Sequence, residues 1–442
     1  MTQRPGFTAE AMATLRLAVP IVIGLASSTL IGVVDTIMIA PLGTQAMAGA
    51  SLTTSAIVIF YAALYGLMSV LGIEMANRSG ANDPTAIGGL VRNGAVLALI
   101  IGTLSAALMI GAFPLLSILD QPESVLTVMY PYWVTMALVL IPFTTLFLFK
   151  GMFDAIGRPW IGTAFAMLGV AVNVPLNWIL IHGVGDWNGF GLFGAGLASF
   201  GAETIALIAA WWFWRYRPSM RAFREKATLS LSLMLRQLRE GSPVALNYAG
   251  ESTSFALISV MLGWIGASAL AANQIVSSIG AVIYMLPLGM AAAVGIRIGQ
   301  AVGQNAFERV RLIGVSAFVT VVLWMLVITL ILLVSREAIS DALSDDPEVI
   351  AIASIMFLTV ALMQVADGVQ STAVGALRGL VDNRIPSIIS LVAYWLIALP
   401  LAYTFGFVLE LGPGGLWIGY GLALLAAAVA LTLRFLRQSR VR

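Results

Sequence analysis

Four acidic residues lie inside long apolar stretches of this sequence: Asp35, Glu203, Glu251 and Asp367. A carboxylate at the centre of a lipid bilayer costs about 2.5–3.5 kcal/mol. Four of them would cost on the order of 10 kcal/mol, which is as large as the net stability of a whole domain. Protonation, polar partners and internal water each reduce this cost, and such residues normally face the bundle interior along an ion or substrate path. The four carboxylates are therefore the candidate functional groups of the chain.

Oxygen-bearing side chains share helix faces with two of these acids. Residues three, four or seven apart lie on one face of an α-helix. The neighbours placed in this way are Asn247 and Ser254 for Glu251, and Gln364, Gln370 and Ser371 for Asp367. Such oxygens suit Na⁺, and a carboxylate also carries a proton. Each of these two acids with its neighbours is therefore predicted to bind Na⁺ or to carry a proton, with Na⁺ favoured over H⁺.

A second polar group lies in the first half of the chain. Asn173 and Asn177 are four residues apart, on either side of Pro175, which frees a backbone carbonyl. Asp35 is the candidate acid on the first helix of this half. Glu203 has few polar residues on its face, so a functional role and a structural role stay equally open for it. For all four acids the alternative is a polar clamp between helices.

The composition is that of a membrane protein, and it excludes several kinds of catalytic centre. Of 442 residues, 60% are hydrophobic and 10% are charged, whereas a soluble domain has roughly 25% charged residues. The chain has no cysteine, so thiolate metal sites and cysteine nucleophiles are excluded. The only lysines, Lys150 and Lys226, lie outside any phosphate-binding loop motif, and the single His182 cannot form a two-histidine zinc motif. We expect a protein that is not an enzyme and has no resident cofactor.

Twelve stretches are long and apolar enough to cross a bilayer, which takes about 20 mostly apolar residues per helix. They span residues 12–40, 45–73, 88–116, 124–150, 159–182, 191–214, 235–263, 267–298, 310–335, 348–377, 384–408 and 414–434. Turn-forming Gly, Pro, Asn and Asp separate them. The sequence therefore predicts an all-α integral membrane protein with twelve transmembrane helices.

The basic residues fall almost entirely on one side of these helices. Twelve is an even number, so both termini lie on the same side. All Lys and Arg residues except Arg336, 22 of 23, fall on that side. Loops rich in Lys and Arg face the cytoplasm. We therefore expect a multi-pass protein of the cell inner membrane with both termini in the cytoplasm.

The two halves of the chain are similar at an offset of 223 residues. The matches include Pro20 with Pro243, Gly43 with Gly266, Tyr61 with Tyr284 and Asn82 with Asn305. Six helices in each half make the halves parallel repeats, which is a plan of secondary transporters. We predict two pseudo-symmetric six-helix lobes: an N-lobe of residues 1–214 and a C-lobe of residues 234–442, joined by a cytoplasmic linker of residues 215–233. Neither Asp35 nor Glu251 aligns with an acid in the other half.

Several segments together resemble the multidrug and toxic compound extrusion (MATE) family, most closely its bacterial NorM branch. They are "VPIVIGLASSTLIGVVDTIMIAPLG" from Val19, "NVPLNWILIHG" from Asn173, "AANQI" from Ala271, "PLGMAAAVGIRIGQAVG" from Pro287 and "ADGVQSTAVGALRG" from Ala366. The resemblance implies twelve helices in two lobes and export of organic cations, by alternating access, driven by Na⁺ or H⁺. It also implies one coupling-cation site shared by Glu251 and Asp367. Asp35 is then the acid of the N-lobe, which acts by protonation or by pairing with a cationic substrate.

Further candidate substrate or coupling residues come from the polar positions of these helices. They are Asn173, Asn177, Asn247, Asn273, Gln274, Gln364 and Glu203. A related branch of the family carries an Asp on the fifth helix where this chain has Asn177.

The main alternative is a flippase for lipid-linked oligosaccharides on a related two-lobe fold. Such a flippase needs a strongly cationic cavity for phosphate groups. Here the basic residues lie in loops or near helix ends, and the charges within the membrane are acidic. An intramembrane enzyme is disfavoured by the missing catalytic motifs. We expect a monomer whose partners are organic cation drugs, Na⁺ or H⁺ and the lipid bilayer, with no nucleic acid.

Overall fold

The computed structural model describes residues 6–118, 122–224 and 228–441. Twelve long helices account for most of these residues, and no β-strand forms among them. The helices are α1 (Phe7–Ile39), α2 (Thr44–Gly80), α3 (Pro84–Ala112), α4 (Glu123–Ala155), α5 (Pro159–His182), α6 (Leu192–Tyr216), α7 (Leu231–Ile265), α8 (Ala267–Gly303), α9 (Phe307–Leu343), α10 (Pro347–Gly379), α11 (Arg384–Val408) and α12 (Gly412–Val441). The predicted all-α fold of twelve helices is confirmed.

Within the described ranges, eleven of these helices are long and apolar enough to cross a membrane. The remaining one, α7, has 35 residues, well above the roughly 20 that a bilayer requires. Its hydropathy is lower because Asn247, Glu251 and several hydroxyl residues interrupt its centre. The most polar of the twelve helices therefore carries one of the four candidate acids.

The backbone follows the internal repeat. Asn82 and Asn305, which match at the offset of 223, have φ angles of 54° and 57°. This left-handed conformation is uncommon outside glycine, and Asn is one of the residues that adopt it most readily. Each Asn closes the turn after the second helix of its half. The two halves therefore share their turn geometry as well as their sequence pattern.

The helices pack as two compact units, here called the N-terminal unit (Ile23–Ala245) and the C-terminal unit (the residues before Ile23 together with those after Ala245). Their boundaries cut α1 and α7 at positions that the repeat relates, since 23 plus 223 is 246. The sequence instead predicts a division at the linker 215–233, of which residues 225–227 lie outside the described residues. The first half of α1 therefore packs in the C-terminal unit and the first half of α7 packs in the N-terminal unit, an exchange of the two half-helices. The sequence repeat itself divides near the linker.

Ion pairs hold both exchanged half-helices. In the C-terminal unit, Glu10 of α1 is 1% exposed and pairs with Arg297 of α8 and, at 2.9 Å, with Arg309 of α9. In the N-terminal unit, Glu74 of α2 pairs with Arg236 of α7. Glu74 and Arg297 are equivalent in the repeat, since 74 plus 223 is 297. The second helix of each half, α2 or α8, is therefore paired with an exchanged half-helix. The pairing residue is acidic on α2 and basic on α8.

Glu10→Ala is expected to destabilise the protein far more than Glu74→Ala. Removing one partner of a buried ion pair costs about 3–5 kcal/mol, because it leaves a buried charge uncompensated. Arg236 is 51% exposed, and exposed pairs contribute only about 0–1 kcal/mol. Thermal unfolding in detergent should give a clearly lowered Tm for Glu10→Ala and a nearly unchanged Tm for Glu74→Ala. Equal losses would show that the burial of Glu10 does not decide the effect.

Candidate cation-binding sites

Asp35 lies at the centre of a buried cluster of amides and hydroxyls in the N-terminal unit. Its Oδ1 accepts a hydrogen bond of 2.5 Å from Asn177 Nδ2, and its Oδ2 accepts one of 2.9 Å from Ser199 Oγ. Asn177 Nδ2 also donates to Asn173 Oδ1 at 2.9 Å, and Asn173 Nδ2 donates to Ser199 Oγ at 3.2 Å. Helices α1, α5 and α6 each contribute to this cluster. The structure thus brings Asp35, Asn173 and Asn177 together and adds Ser199, which sequence reasoning missed.

One oxygen of this cluster lacks a partner. Asn177 is fully buried, and within the described part of the chain its Oδ1 has no hydrogen bond. An unsatisfied buried acceptor costs about 1–3 kcal/mol. The free amide oxygen lies beside a carboxylate, and such oxygens are ligands that hard cations prefer. The cluster therefore contains oxygen ligands of a kind that can bind a hard cation.

Glu203 belongs to the same region. It lies one turn after Ser199 on α6, and its Oε2 is buried without a hydrogen-bond partner among the described residues. Tyr61 of α2 is close enough to interact electrostatically with both Glu203 and Asp35. The N-terminal unit thus contains two acids near one tyrosine.

Two tyrosines hold Glu251 in the C-terminal unit. The Tyr284 hydroxyl of α8 donates to Glu251 Oε1 at 3.1 Å, and Tyr394 of α11 also hydrogen-bonds to this carboxylate. Gln370 Nε2 of α10 donates to Tyr394 Oη at 2.9 Å and to Ser390 Oγ at 3.3 Å. A chain of hydrogen bonds therefore runs from the candidate acid of α7 to α10.

Asp367 lies on α10, one turn before Gln370. It interacts electrostatically with Glu251, and Tyr284 and Tyr394 lie within electrostatic range of both acids. Coulomb repulsion between two nearby carboxylates is relieved by a proton or a bound cation. The structure therefore places the two predicted acids in one aromatic, hydroxyl-lined site.

The remaining predicted residues divide into buried and exposed positions. Asn247, Asn273 and Gln364 are buried, at 2%, 4% and 6% exposure. Asn273 Nδ2 donates to Ser259 Oγ at 3.1 Å. Gln274 is exposed on α8, so it does not share the environment of its neighbour Asn273.

Sequence reasoning missed the tyrosines of both sites. A tyrosine in an apolar helix is usually a packing residue or an interfacial anchor, and its hydroxyl gives no pattern of its own. Tyr61 and Tyr284 did leave a signal, because they match at the repeat offset. Tyr394 has no such signal, because its role depends on the contact between α11 and α7.

Twelve helices built from two repeats are an arrangement found among membrane transporters. The family model MatE matches residues 20–179 and 243–404. The two matches begin 223 residues apart, which is the offset of the internal repeat. The chain belongs to the MatE family, whose members are transporters.

Individual relatives cover nearly the whole chain. The multidrug resistance protein MdtK of Yersinia pestis (strain Pestoides F) is 30% identical over 439 residues, 97% of this chain and 95% of the relative. The multidrug resistance protein NorM of Burkholderia vietnamiensis is 29% identical over 448 residues, 98% of this chain and 95% of the relative. The crystal structure of the eukaryotic MATE transporter AtDTX14 has the same fold, with a TM-score of 0.88, 21% identity and 98% coverage of both chains. The predicted MATE transporter close to the NorM branch is confirmed.

Proposed function

We propose that this protein exports organic cation drugs by alternating access in exchange for Na⁺ or H⁺. The observation that carries the proposal is a buried acidic cluster in each half of the repeat. The Asp35 carboxylate is hydrogen-bonded by the neutral Asn177 and Ser199, and Glu251 by the neutral Tyr284 and Tyr394. Buried carboxylates with neutral partners attract a cation or a proton. The relatives MdtK and NorM are named multidrug resistance proteins, which supports drugs as the substrates.

The two clusters have different chemistry. The N-terminal cluster offers the Asp35 carboxylate and a free amide oxygen of Asn177, which suits a directly bound cation. The C-terminal cluster offers Glu251, which accepts hydrogen bonds from tyrosine hydroxyls, and the nearby Asp367. This pair suits a cation or a proton shared by Glu251 and Asp367. We assign the coupling cation to the Glu251 and Asp367 site. Asp35 is assigned to the N-lobe, where it binds a proton, a coupling cation or the cationic substrate.

The flippase alternative is less well supported. Phosphate groups require exposed positive charge in the cavity. Lys150, a basic residue buried in the N-terminal unit, is already paired with Asp154 at 2.9 Å. The candidate sites are built from acids, amides and hydroxyls instead.

The proposed orientation places both termini in the cytoplasm of a bacterial cell, with the protein in the inner membrane. It rests on the 22 basic residues that fall on one side of the predicted helices. The chain has no native cysteine, so single cysteines at Gly6 and at Asp345 are specific reporters. An impermeant maleimide applied to intact cells should label only the cysteine at Asp345. Labelling of both from outside would overturn the orientation.

Export from proteoliposomes tests the proposed function. Purified protein is reconstituted into liposomes that contain a fluorescent organic cation, and an inward Na⁺ gradient or an inward pH gradient is imposed separately. Release of the cation should accelerate with one of the gradients and not with an equal gradient of choline chloride. A release rate that changes with neither gradient would refute coupling to Na⁺ or H⁺.

A further inference from the structure

Arg378 is a buried cation to which the proposed transport cycle gives no role. It lies one residue before the end of α10 and is 3% exposed. Its Nη1 donates to the Tyr248 hydroxyl at 3.0 Å, and its guanidinium carbon lies 4.9 Å from the centroid of the Tyr248 ring. Its Nε and Nη2 have no hydrogen-bond partner in the described part of the chain. A buried cation with neutral partners is costly unless a negative charge lies near it.

At the equivalent position in the first half of the chain, the buried charge has a counter-charge on the same helix. Gly151 falls on Gly375 and Asp154 falls on Arg378, both at an offset of 224 residues. Asp154 forms an ion pair with Lys150, four residues earlier on α4. The residue that replaces Lys150 in the second half is the apolar Val374. The second half therefore keeps a buried charge at this position but lacks the adjacent counter-charge.

The acidic site of the C-terminal unit lies on the same two helices as Arg378 and its partner Tyr248. Tyr248, the hydrogen-bond partner of Arg378, precedes Glu251 by three residues on α7, a rise of about 4.5 Å. Arg378 follows Asp367 by eleven residues on α10, so the two positions differ by about 20° around the helix and by about 16 Å along it. Helical side chains lean toward the N-terminus, which brings the guanidinium closer to the acids. Glu251 lies within electrostatic range of Arg378.

We propose that Arg378 is a tethered internal cation that competes with the coupling cation for the Glu251 carboxylate. Its charge compensates for Glu251 when the site is empty, and it weakens the binding of an incoming cation. The guanidinium acts through Glu251, so Arg378 is a positioning residue and not a ligand of the coupling cation. The inference rests on the proposed cation coupling. It applies to the C-terminal unit alone, because Asp154 and Lys150 neutralise each other at the equivalent place.

The test is a cation titration of thermal stability. Tm is measured against Na⁺, with choline chloride keeping ionic strength constant, and separately against pH. Arg378→Met and Arg378→Gln should lower the half-saturating concentration of the active cation about tenfold, because they remove a positive charge that lies within electrostatic range of Glu251 and opposes an incoming cation. Arg378→Lys keeps the charge and should titrate like the wild type. The matched control is Arg384→Met, which removes an exposed arginine at the start of α11 and should leave the titration unchanged.

The outcomes separate the proposal from a structural role. A role in packing alone would lower Tm in Arg378→Met and Arg378→Gln without changing the half-saturating concentration, and that result would overturn the proposal. Arg378→Gln retains a polar group that still hydrogen-bonds Tyr248, so it provides the measurement if Arg378→Met folds poorly. A wild type whose Tm responds to neither Na⁺ nor pH would overturn the proposed coupling together with this inference.

Discussion

Asp35→Asn should reduce the initial rate of drug export by about tenfold or more, because losing one partner of a buried charge interaction costs about 2–5 kcal/mol. The carboxylate is 6% exposed and is the only acid of α1 inside the membrane-spanning apolar stretch of that helix. In the proposed cycle it supplies the negative charge that attracts a cation into the N-terminal cluster. An amide supplies the same shape without the charge.

The Asp35→Asn variant should still fold. The new side chain keeps an oxygen that accepts from Asn177 Nδ2, and its NH2 group can donate to Ser199 Oγ. Ser199 can turn its hydroxyl, since it both donates and accepts. Removing a buried negative charge also removes its desolvation penalty. Tm should therefore be close to that of the wild type or higher.

Export is measured as gradient-driven release from proteoliposomes, with Tm as the check of folding. The matched control is Asp345→Asn, which makes the same chemical change at an exposed position between α9 and α10. The control should export at the wild-type rate. A well-folded Asp35→Asn variant that exports as fast as the control would eliminate Asp35 as a functional acid.

The sequence was sufficient to predict the helices and the repeat. Each helix carries a long apolar stretch, and the turns carry Gly, Pro or Asn, as Asn82 and Asn305 illustrate. The repeat was visible because both halves need the same backbone conformations at these turns. Candidate acids were also visible, because a charge in an apolar stretch is rare and costly.

The exchange of the first halves of α1 and α7 could not be predicted. It depends on which helix the buried Glu10 reaches, and Arg297 lies 287 residues away in sequence. Composition assigns Glu10 and Arg297 to the same side of the membrane, but it does not distinguish a solvated charge from a buried pair. For the same reason, the sequence did not predict that Arg378 is buried, because its position near the end of α10 is typical of an ordinary charge at a helix end.

The partners of the acids were predictable only where they lie on the same helix or in the repeat. Asn173 and Asn177 share one face of α5, so their proximity follows from helix geometry. Ser199 and Tyr394 reach Asp35 and Glu251 from other helices. Those contacts are set by tertiary packing, which helix periodicity does not encode.

Glu251→Gln and Asp367→Asn should each abolish the cation-dependent rise in Tm that we expect for the C-terminal site. A cation at one hundred times its Kd stabilises the folded state by about 2.7 kcal/mol. Each single variant removes one carboxylate from a site in which both acids interact with each other and with Tyr284 and Tyr394. The shift should therefore be lost in either variant, for Na⁺ or for H⁺, whichever acts on the wild type.

The double variant distinguishes one shared site from two independent acids. If Glu251 and Asp367 hold a single cation, Glu251→Gln with Asp367→Asn should be little worse than either change alone, because residues that act as a unit are non-additive. Independent acids would each contribute part of the shift, and their losses would add. The measurement is made both in the wild type and in an Asp35→Asn background, which removes any response from the N-terminal cluster. Asp345→Asn again serves as the charge-removal control, with an unchanged shift. If both single variants keep the full shift in the Asp35→Asn background, Glu251 and Asp367 form a structural clamp between α7 and α10, and the coupling cation binds elsewhere.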